Sequence, residues 1–140
     1  MYVPFVIGVV LACFMGLLGT TTRMDRDRAY YPTLMIVIAA LYSLFAVMGG
    51  SRQALVLESL VGAVFLAAAV HGFRSSLWIV VAALAGHGIF DFVHGRFIAN
   101  PGVPVYWPAF CGAYDVVAAA FLAWLLRSGR TPVRLRKETP

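Results

Sequence analysis

The sequence predicts an all-α integral membrane protein, folded as a bundle of about five transmembrane helices. Of its 140 residues, 61% are apolar and only 12% are charged, whereas a soluble domain carries about 25% charged residues because its surface faces water. Five apolar stretches approach the length of about 20 residues that a helix needs to cross a bilayer core. Arginine, glycine and proline gather between these stretches, as expected for loops at a membrane surface.

The five predicted helices cover about residues 3–22, 30–50, 54–73, 76–98 and 106–126. The first has no basic residue before it and no small-residue cleavage site before Arg23, so we expect a retained helix and not a signal peptide. Gly49 and Gly50 end the second stretch, and Arg74 ends the third. Three prolines and one glycine in residues 99–108 predict a structured loop before the fifth helix.

The distribution of Lys and Arg predicts the orientation in the membrane. With five helices and a cytoplasmic C-terminus, nine of the eleven basic residues lie on the cytoplasmic side, and only Arg52 and Arg96 lie outside. Cytoplasmic loops of membrane proteins carry such an excess. We therefore predict a multi-pass protein of the cell membrane, the inner membrane in a bacterium, with the N-terminus outside. It has one transmembrane domain (1–126) and a basic cytoplasmic tail (127–140).

The composition also argues against two classes of protein. Five of the eleven basic residues lie in the last fourteen residues, so the chain lacks the basic face that nucleic-acid binding needs, and we expect no nucleic-acid partner. Cys13 and Cys111 are far apart in apolar stretches, which predicts two buried thiols and no disulfide framework. The expected partners are the lipid bilayer, a membrane-soluble substrate and, as an alternative, further copies of the chain.

Small residues form a narrow stripe on the first helix. Gly8, Ala12 and Gly16 recur every four residues, and helices in lipid approach each other through such residues. We expect this stripe to meet another helix of the same bundle. The alternative is a homo-oligomer interface.

Six ionisable side chains lie inside the predicted spans, where polar groups are costly and mark candidate functional sites. They are Glu58, His71, His87, Asp91, His94 and Asp115. The motif His87-Gly-Ile-Phe-Asp91-Phe-Val-His94 places three of them on one face of the fourth helix, within about 40° of His87. Ile89, Phe92 and Val93 take the opposite face.

Depth in the membrane suggests which of these groups belong together. In the predicted orientation, Asp115 lies about 13 Å below the start of the fifth helix, near the depth of His87 and Asp91, and Glu58 is also in the outer half. His71 lies at the inner end and is interpreted as an interfacial residue. Cys111 is one turn above Asp115, and we interpret it as a small buried thiol and not as a ligand.

Two imidazoles and up to three carboxylates at one depth suit a divalent transition metal such as zinc, iron or copper. We predict that His87, Asp91, His94 and Asp115 bind the ion, and that Glu58 is the catalytic base acting on a metal-bound water. Two alternatives stay open. In the first, these groups handle protons or bind a ligand without a metal. In the second, they form a hydrogen-bonded network that only stabilises helix packing.

The motif of the fourth helix, the loop Asn100-Pro-Gly-Val-Pro104, and Cys111 and Asp115 together resemble a family of small multi-pass bacterial membrane proteins. That family is catalogued as a domain of unknown function. Its pattern is a His-x3-Asp-x2-His helix, an Asn-Pro-x-x-Pro loop and a last helix with Cys and Asp. A glutamate in its middle helix is similar to Glu58. Where the family often has a second histidine after the motif, this chain has Gly95, which argues against a three-histidine site.

The resemblance covers about residues 55–125 and implies no particular activity. A looser similarity is to membrane-embedded hydrolases that cleave lipid amides with a zinc ion held by His and Asp, which have seven helices and a different motif order. From the ionisable residues we predict a metal-dependent activity on a lipid or other membrane-soluble substrate. The alternatives are a small transporter or sensor of protons or metal ions, and a structural membrane subunit.

Overall fold

A computed structural model of the chain describes residues 2–133, and this part contains five long helices. They are α1 (Tyr2–Thr22), α2 (Tyr30–Met48), α3 (Arg52–Arg74), α4 (Trp78–Phe97) and α5 (Trp107–Arg127), with a short 3-10 helix at Met24–Arg26. Each of the five is long and apolar enough to cross a membrane. The predicted all-helical fold is therefore confirmed. Residues 134–140 of the predicted basic tail lie outside the described residues.

The ends of the helices follow from local sequence, as the turn between α2 and α3 illustrates. Gly50 has a φ of 68°, in the left-handed region that glycine adopts without strain. The N–H of Ser51 donates to the carbonyl of Ala46 and closes α2. The Ser51 hydroxyl then accepts from the N–H of Ala54 at 3.2 Å and begins α3 as its cap.

The helix α5 is the most buried of the described helices and lies at the centre of the bundle. It packs against α1 on one side and α4 on the other, while α2 and α3 form a hairpin that contacts α4. The outer helices α1 and α3 expose large apolar side chains, including Val10, Leu17, Leu60 and Val64. In a chain of this composition, such a surface faces lipid.

The small-residue stripe of α1 meets α5, so the packing prediction is confirmed. Gly8, Ala12 and Gly16 are all buried. A Cβ on Gly8 would collide with the carbonyl oxygen of Phe110, and a Cβ on Gly16 would lie 3.0 Å from the ring of Phe121. The stripe is therefore occupied within the bundle and is not an exposed surface.

The two cysteines differ in exposure. Cys111 on α5 is buried as predicted, but Cys13 on α1 is exposed, so the prediction for Cys13 was wrong. The reason is that α1 packs on the bundle along one narrow stripe only, and Cys13 lies beside that stripe. An apolar side chain in a membrane span needs no protein cover, because the lipid is itself apolar.

Arg28 ties together the end of the bundle that is predicted to be cytoplasmic. Its side chain is buried, and the guanidinium donates to the backbone carbonyls of Gly72, Phe73 and Pro132. The N–H of Leu77 donates to the carbonyl of Val133 at 3.0 Å. The ends of α3 and α5 and the beginnings of α2 and α4 therefore lie together. Which side of the membrane this end occupies remains a prediction.

The loop between α4 and α5 covers the other end of the bundle. Gly102 packs so closely on α2 that a Cβ there would overlap the carbonyl oxygen of Phe45. The side chain of Asn100 reaches inward, and its Nδ2 donates to the carbonyl of Tyr42 at 3.1 Å and to Oε1 of Glu58 at 2.9 Å. The loop is thus fastened to α2 and α3 and closes the bundle over buried polar side chains.

Candidate metal centre

One turn of α4 and one turn of α5 face each other in the core and carry four buried donor side chains. His87 and Asp91 come from α4, and Cys111 and Asp115 come from α5. Within each helix the two residues are four positions apart, which places their side chains on the same face. We call these four residues the four-donor group.

Two glycines bring these turns close together. A Cβ on Gly88 would lie 2.9 Å from the carbonyl oxygen of Gly112, and a Cβ on Gly112 would lie 3.0 Å from the carbonyl oxygen of Gly88. Both distances are shorter than ordinary contact between heavy atoms, so the backbones approach where a side chain would keep them apart. Each glycine directly follows a donor, His87 or Cys111. The close approach therefore places the donors at the contact between the helices.

The imidazole of His87 is the centre of the four-donor group. Its Nδ1 lies 2.7 Å from Oδ2 of Asp115 and 3.6 Å from Oδ2 of Asp91. The Sγ of Cys111 donates to the same Asp115 oxygen over 3.9 Å. One donor atom from each of the four residues lies within 4.8 Å of the others. None of the four residues is more than 3% exposed, so the group is sealed from its surroundings.

Three carboxylate oxygens of this group have no hydrogen-bond partner among residues 2–133. They are both oxygens of Asp91 and Oδ1 of Asp115. A buried polar atom without a partner is costly, because it has given up its bonds to water. Such atoms in a folded protein call for an explanation, such as a bound ion or a proton. Here they supply free oxygen ligands next to an imidazole and a thiol.

A second polar group lies between α3 and α4, under the loop. The Nε2 of His94 hydrogen-bonds Oε1 of Glu58 at 2.8 Å, and the same oxygen accepts from Nδ2 of Asn100 at 2.9 Å. His94 and Glu58 are each 2% exposed. A carboxylate paired with an imidazole in this way determines the orientation of the ring.

Tyr42 of α2 lies against both groups. The centroid of its ring is 4.3 Å from that of His94 and 6.0 Å from that of His87. Its hydroxyl is buried and has no hydrogen-bond partner in the described part of the chain. Phe65 packs edge-on against His87, with ring centroids 4.8 Å apart. Aromatic rings therefore surround the two imidazoles and help to keep water away from them.

The structure divides the predicted site residues between these two groups. His87, Asp91 and Asp115, predicted as metal ligands, come together, and Cys111 joins them. His94, predicted as a further ligand, is instead paired with Glu58, the predicted base. The reason is distance along the helix, since seven residues separate His94 from His87 by about 10 Å. His71 is exposed and belongs to neither group.

Sequence reasoning did not assign three residues that the structure places at the site. Cys111 had a visible signal, because it precedes Asp115 by the same four positions that separate His87 from Asp91, and a glycine follows it in the same way. Asn100 was named only as part of the loop motif and Tyr42 had no such signal, because their contacts depend on how α2 and the loop are placed around α4. Tyr42 was interpreted from sequence only as a packing residue.

The four-donor group fits a small divalent transition metal in chemistry and nearly in size. Zinc bonds of about 2.0–2.3 Å place tetrahedral ligands about 3.3–3.8 Å apart. The spread of 4.8 Å among the donor atoms is larger by about 1 Å, a difference that small side-chain rotations can close. The 2.7 Å contact between His87 and Asp115 is shorter than the spacing of two ligands on one ion. Metal binding through these atoms would therefore replace that hydrogen bond.

Comparison of the chain with protein-family models, with curated proteins and with solved structures found no match. The resemblance of residues 55–125 to a family of small bacterial membrane proteins therefore stays a prediction from its motifs. The fold and the site define a class of protein: a five-helix bundle of membrane-spanning length with a buried His, Asp and Cys group that could hold a metal ion.

Proposed function

We propose that this protein binds one divalent transition metal ion between α4 and α5 and uses it to act on a lipid or other membrane-soluble substrate. The observation that carries the proposal is the four-donor group, whose donor atoms converge within 4.8 Å in the core. Within residues 2–133, three of its carboxylate oxygens have no partner. A cation would compensate these buried oxygens, which protein atoms leave unpaired.

His87, Asp91 and Asp115 are the proposed ligands, and together they offer one imidazole nitrogen and two carboxylate oxygens. This donor set suits zinc or iron. Three protein ligands also leave a coordination position for water or substrate, as catalytic sites require. We assign Cys111 a supporting role, because its Sγ is placed as a donor to Asp115. A thiolate ligand would instead favour zinc or copper and would close the site.

The pair of His94 and Glu58 is the proposed proton acceptor. Glu58 alone was the base predicted from sequence, and its 2.8 Å hydrogen bond to His94 extends that role to both side chains. In such a pair the carboxylate orients the imidazole, and the imidazole takes up the proton. Tyr42 contacts both imidazoles, so the pair lies one aromatic ring away from the proposed ligands.

Elemental analysis of the purified, detergent-solubilised protein tests the metal. After incubation with zinc, iron or copper and removal of the excess, we expect about one equivalent of ion per chain. His87→Ala and Asp115→Ala should bind almost none. His71→Ala is the matched control, because it removes an exposed histidine outside the site. Cys111→Ser should still bind the ion. A wild-type protein that binds none of these metals would refute the proposal.

Glu58→Gln separates metal binding from chemistry. The amide oxygen can still accept hydrogen bonds from His94 and Asn100, but the amide cannot stabilise a protonated imidazole as a carboxylate does. We expect normal metal content and a loss of turnover of about 10²–10⁴-fold, as for removal of a general base. Mass spectrometry of lipid extracts should then show a species that accumulates in membranes carrying the variant. Identical lipid profiles with wild-type, Glu58→Gln and His87→Ala protein would count against an enzyme.

One observation favours a second function. The polar side chains form a column in which Asn100 contacts Glu58, Glu58 contacts His94, and Tyr42 touches the imidazoles of both groups. Columns of ionisable groups in membranes conduct protons or ions, so the alternative is a small transporter or sensor of protons or metal ions. Measurements of zinc or proton flux into proteoliposomes that contain a zinc- or pH-sensitive dye distinguish a transporter from an enzyme. Flux that Glu58→Gln abolishes would support transport.

A further inference from the structure

A cavity of about 610 Å³ opens between the ends of α1 and α5, at the end of the bundle that Arg28 holds together. Its lining residues are Thr20, Asp25, Arg26, Gly129, Arg130 and Pro132. None of them belongs to the four-donor group or to the pair of His94 and Glu58. This cavity, with two arginines in its lining, is therefore a separate feature of the molecule.

The position of Arg130 is determined by the end of α5. Gly129 has a φ of 68°, and the N–H of Arg130 donates to the carbonyl of Leu125 at 3.1 Å, which is a common way to end a helix. The guanidinium carbon of Arg130 lies 4.6 Å from the ring centroid of Trp124, a cation–π contact. Stacking uses the flat face of the guanidinium, so the N–H groups in its plane stay available for an anion.

Arg26 reaches the same cavity from the turn after α1. Arg23 has a φ of 64° and reverses the chain, and the N–H of Arg26 donates to the carbonyl of Arg23 at 3.2 Å. Among residues 2–133, salt bridges form only around His87 and His94. Neither arginine of the cavity is therefore paired with a carboxylate of the described chain.

Asp25 is the one acidic residue in the lining, and its bonds hold the cavity together. Its Oδ2 accepts from the Thr20 hydroxyl at 2.9 Å, and its backbone carbonyl accepts from the Thr131 hydroxyl at 2.7 Å. The side chain is 3% exposed, so it presents little negative charge at the opening. Two guanidinium groups and one carboxylate leave the lining with a net charge of +1.

We propose that this cavity binds the phosphate group of an anionic membrane lipid between Arg26 and Arg130. Guanidinium groups bind phosphate oxygens through charge-assisted, often bidentate, hydrogen bonds. The opening has the positive charge that such a ligand needs. This site is independent of the proposed metal and of the activity proposed above.

The surroundings of Arg130 favour a lipid over free phosphate. Trp124, on which Arg130 stacks, is 46% exposed on the outer surface of α5, and tryptophan near the end of a membrane span marks the level of the lipid headgroups. The cavity lies where α1 and α5 end, at this same level. It is also at the end predicted to be cytoplasmic, where anionic lipids attract basic residues.

Thermal unfolding in a mild detergent tests this site, with dioleoyl phosphatidylglycerol as the anionic probe and dioleoyl phosphatidylcholine as the zwitterionic one. We expect only phosphatidylglycerol to raise the unfolding temperature of the wild-type protein. In Arg26→Gln/Arg130→Gln, the phosphatidylglycerol concentration that gives half of the rise in unfolding temperature should increase about tenfold or more. The reason is that the loss of one charge-assisted hydrogen bond accounts for such a factor in affinity. Arg26→Lys/Arg130→Lys keeps both charges and should recover part of the response.

The matched control is Arg74→Gln/Arg127→Gln, which removes two charges from the same end of the bundle. Neither Arg74 nor Arg127 lines the cavity. Arg127 stacks instead on Trp78, with its guanidinium carbon 5.7 Å from the ring centroid. This control should keep the wild-type response. Equal loss in both double variants would show a diffuse attraction and overturn the site. A wild-type response to inorganic phosphate as large as to phosphatidylglycerol would overturn the assignment to a lipid.

Discussion

At the scale of single residues, the buried polar atoms fall into two kinds, those with partners and those without. His94, Glu58 and Asn100 satisfy one another through hydrogen bonds of 2.8 and 2.9 Å. Both oxygens of Asp91 and the hydroxyl of Tyr42, by contrast, have no partner within the described residues. Atoms of the first kind stabilise the fold, and atoms of the second kind are available for a ligand or a proton.

Glu58→Leu should therefore destabilise the protein. It leaves Nε2 of His94 without its partner and removes one of the two acceptors of Asn100. An unsatisfied buried group costs about 1–3 kcal/mol. Glu58→Gln is the control, because it keeps an oxygen acceptor in the same place and should lose less. Unfolding measurements in detergent compare the two variants, and equal losses would show that these hydrogen bonds contribute little to stability.

At the scale of helices, glycines set the distance between α5 and its neighbours. Gly8 on α1 contacts the backbone of Phe110, and Gly88 on α4 contacts the backbone of Gly112. Backbone atoms cannot rotate away from an added methyl group as a side chain can. The effect of a substitution at each glycine should therefore depend on what its Cβ would meet.

Gly8→Ala should destabilise the bundle by about 1–3 kcal/mol, the usual cost of overpacking, because the new methyl group meets the Phe110 carbonyl. Gly16→Ala should cost less, since the Phe121 ring at 3.0 Å is a side chain that can shift. Gly86→Ala is the control, because no atom lies within 4 Å of its Cβ, and it should gain up to about 1 kcal/mol of helix propensity. Unfolding temperatures in detergent rank the stabilities of the three variants, and three equal temperatures would contradict the prediction.

Gly88→Ala tests the link between packing and the candidate site. Its Cβ would lie 2.9 Å from the carbonyl oxygen of Gly112, so α4 and α5 must separate. His87 would then move away from Asp115, whose oxygen is now 2.7 Å from Nδ1. We expect lower metal content at unchanged helical content, measured by elemental analysis and circular dichroism. Unchanged metal content relative to Gly86→Ala would mean that the close approach is not needed for binding.

At the scale of the whole molecule, the two ends of the bundle differ in chemistry. The end held by Arg28 gathers most of the basic residues and the arginine-lined cavity. The other end carries the proline-rich loop, which closes over Glu58 through Asn100. This asymmetry matches what the positive-inside rule requires of a membrane protein, and it predicts which end faces the cytoplasm.

Reporter fusions test that orientation. Green fluorescent protein joined after Arg28 or Arg74 should fluoresce, because both sites belong to the predicted cytoplasmic end. Alkaline phosphatase joined after Pro101 should be active, because the loop is predicted to lie outside. Active phosphatase after Arg28 and fluorescence after Pro101 would reverse the orientation. The candidate metal centre would then lie in the opposite leaflet.

The sequence by itself determined the number of helices, and their ends lie within two residues of the predicted ends. Each span carries its own signal, because lipid demands about 20 apolar residues in a row and because residues such as Gly50 and Ser51 end or begin helices locally. The same signals placed five ionisable residues at similar depth. They also placed His87, Asp91 and His94 on one face of α4, because the helical period is a property of a single segment.

Only the tertiary structure decided which of these residues meet. The rotation of each helix about its axis depends on contacts with its neighbours, such as that between Gly88 and Gly112, and no single segment encodes it. That rotation turned Cys111 toward His87 and brought Tyr42 of α2 against both imidazoles. His94 lies two turns along α4 from His87, and the packing of α3 against α4 pairs it with Glu58 and not with the four-donor group. The depth of a residue in the membrane follows from its position in the sequence of its own span. The direction in which its side chain faces depends on the packing between spans.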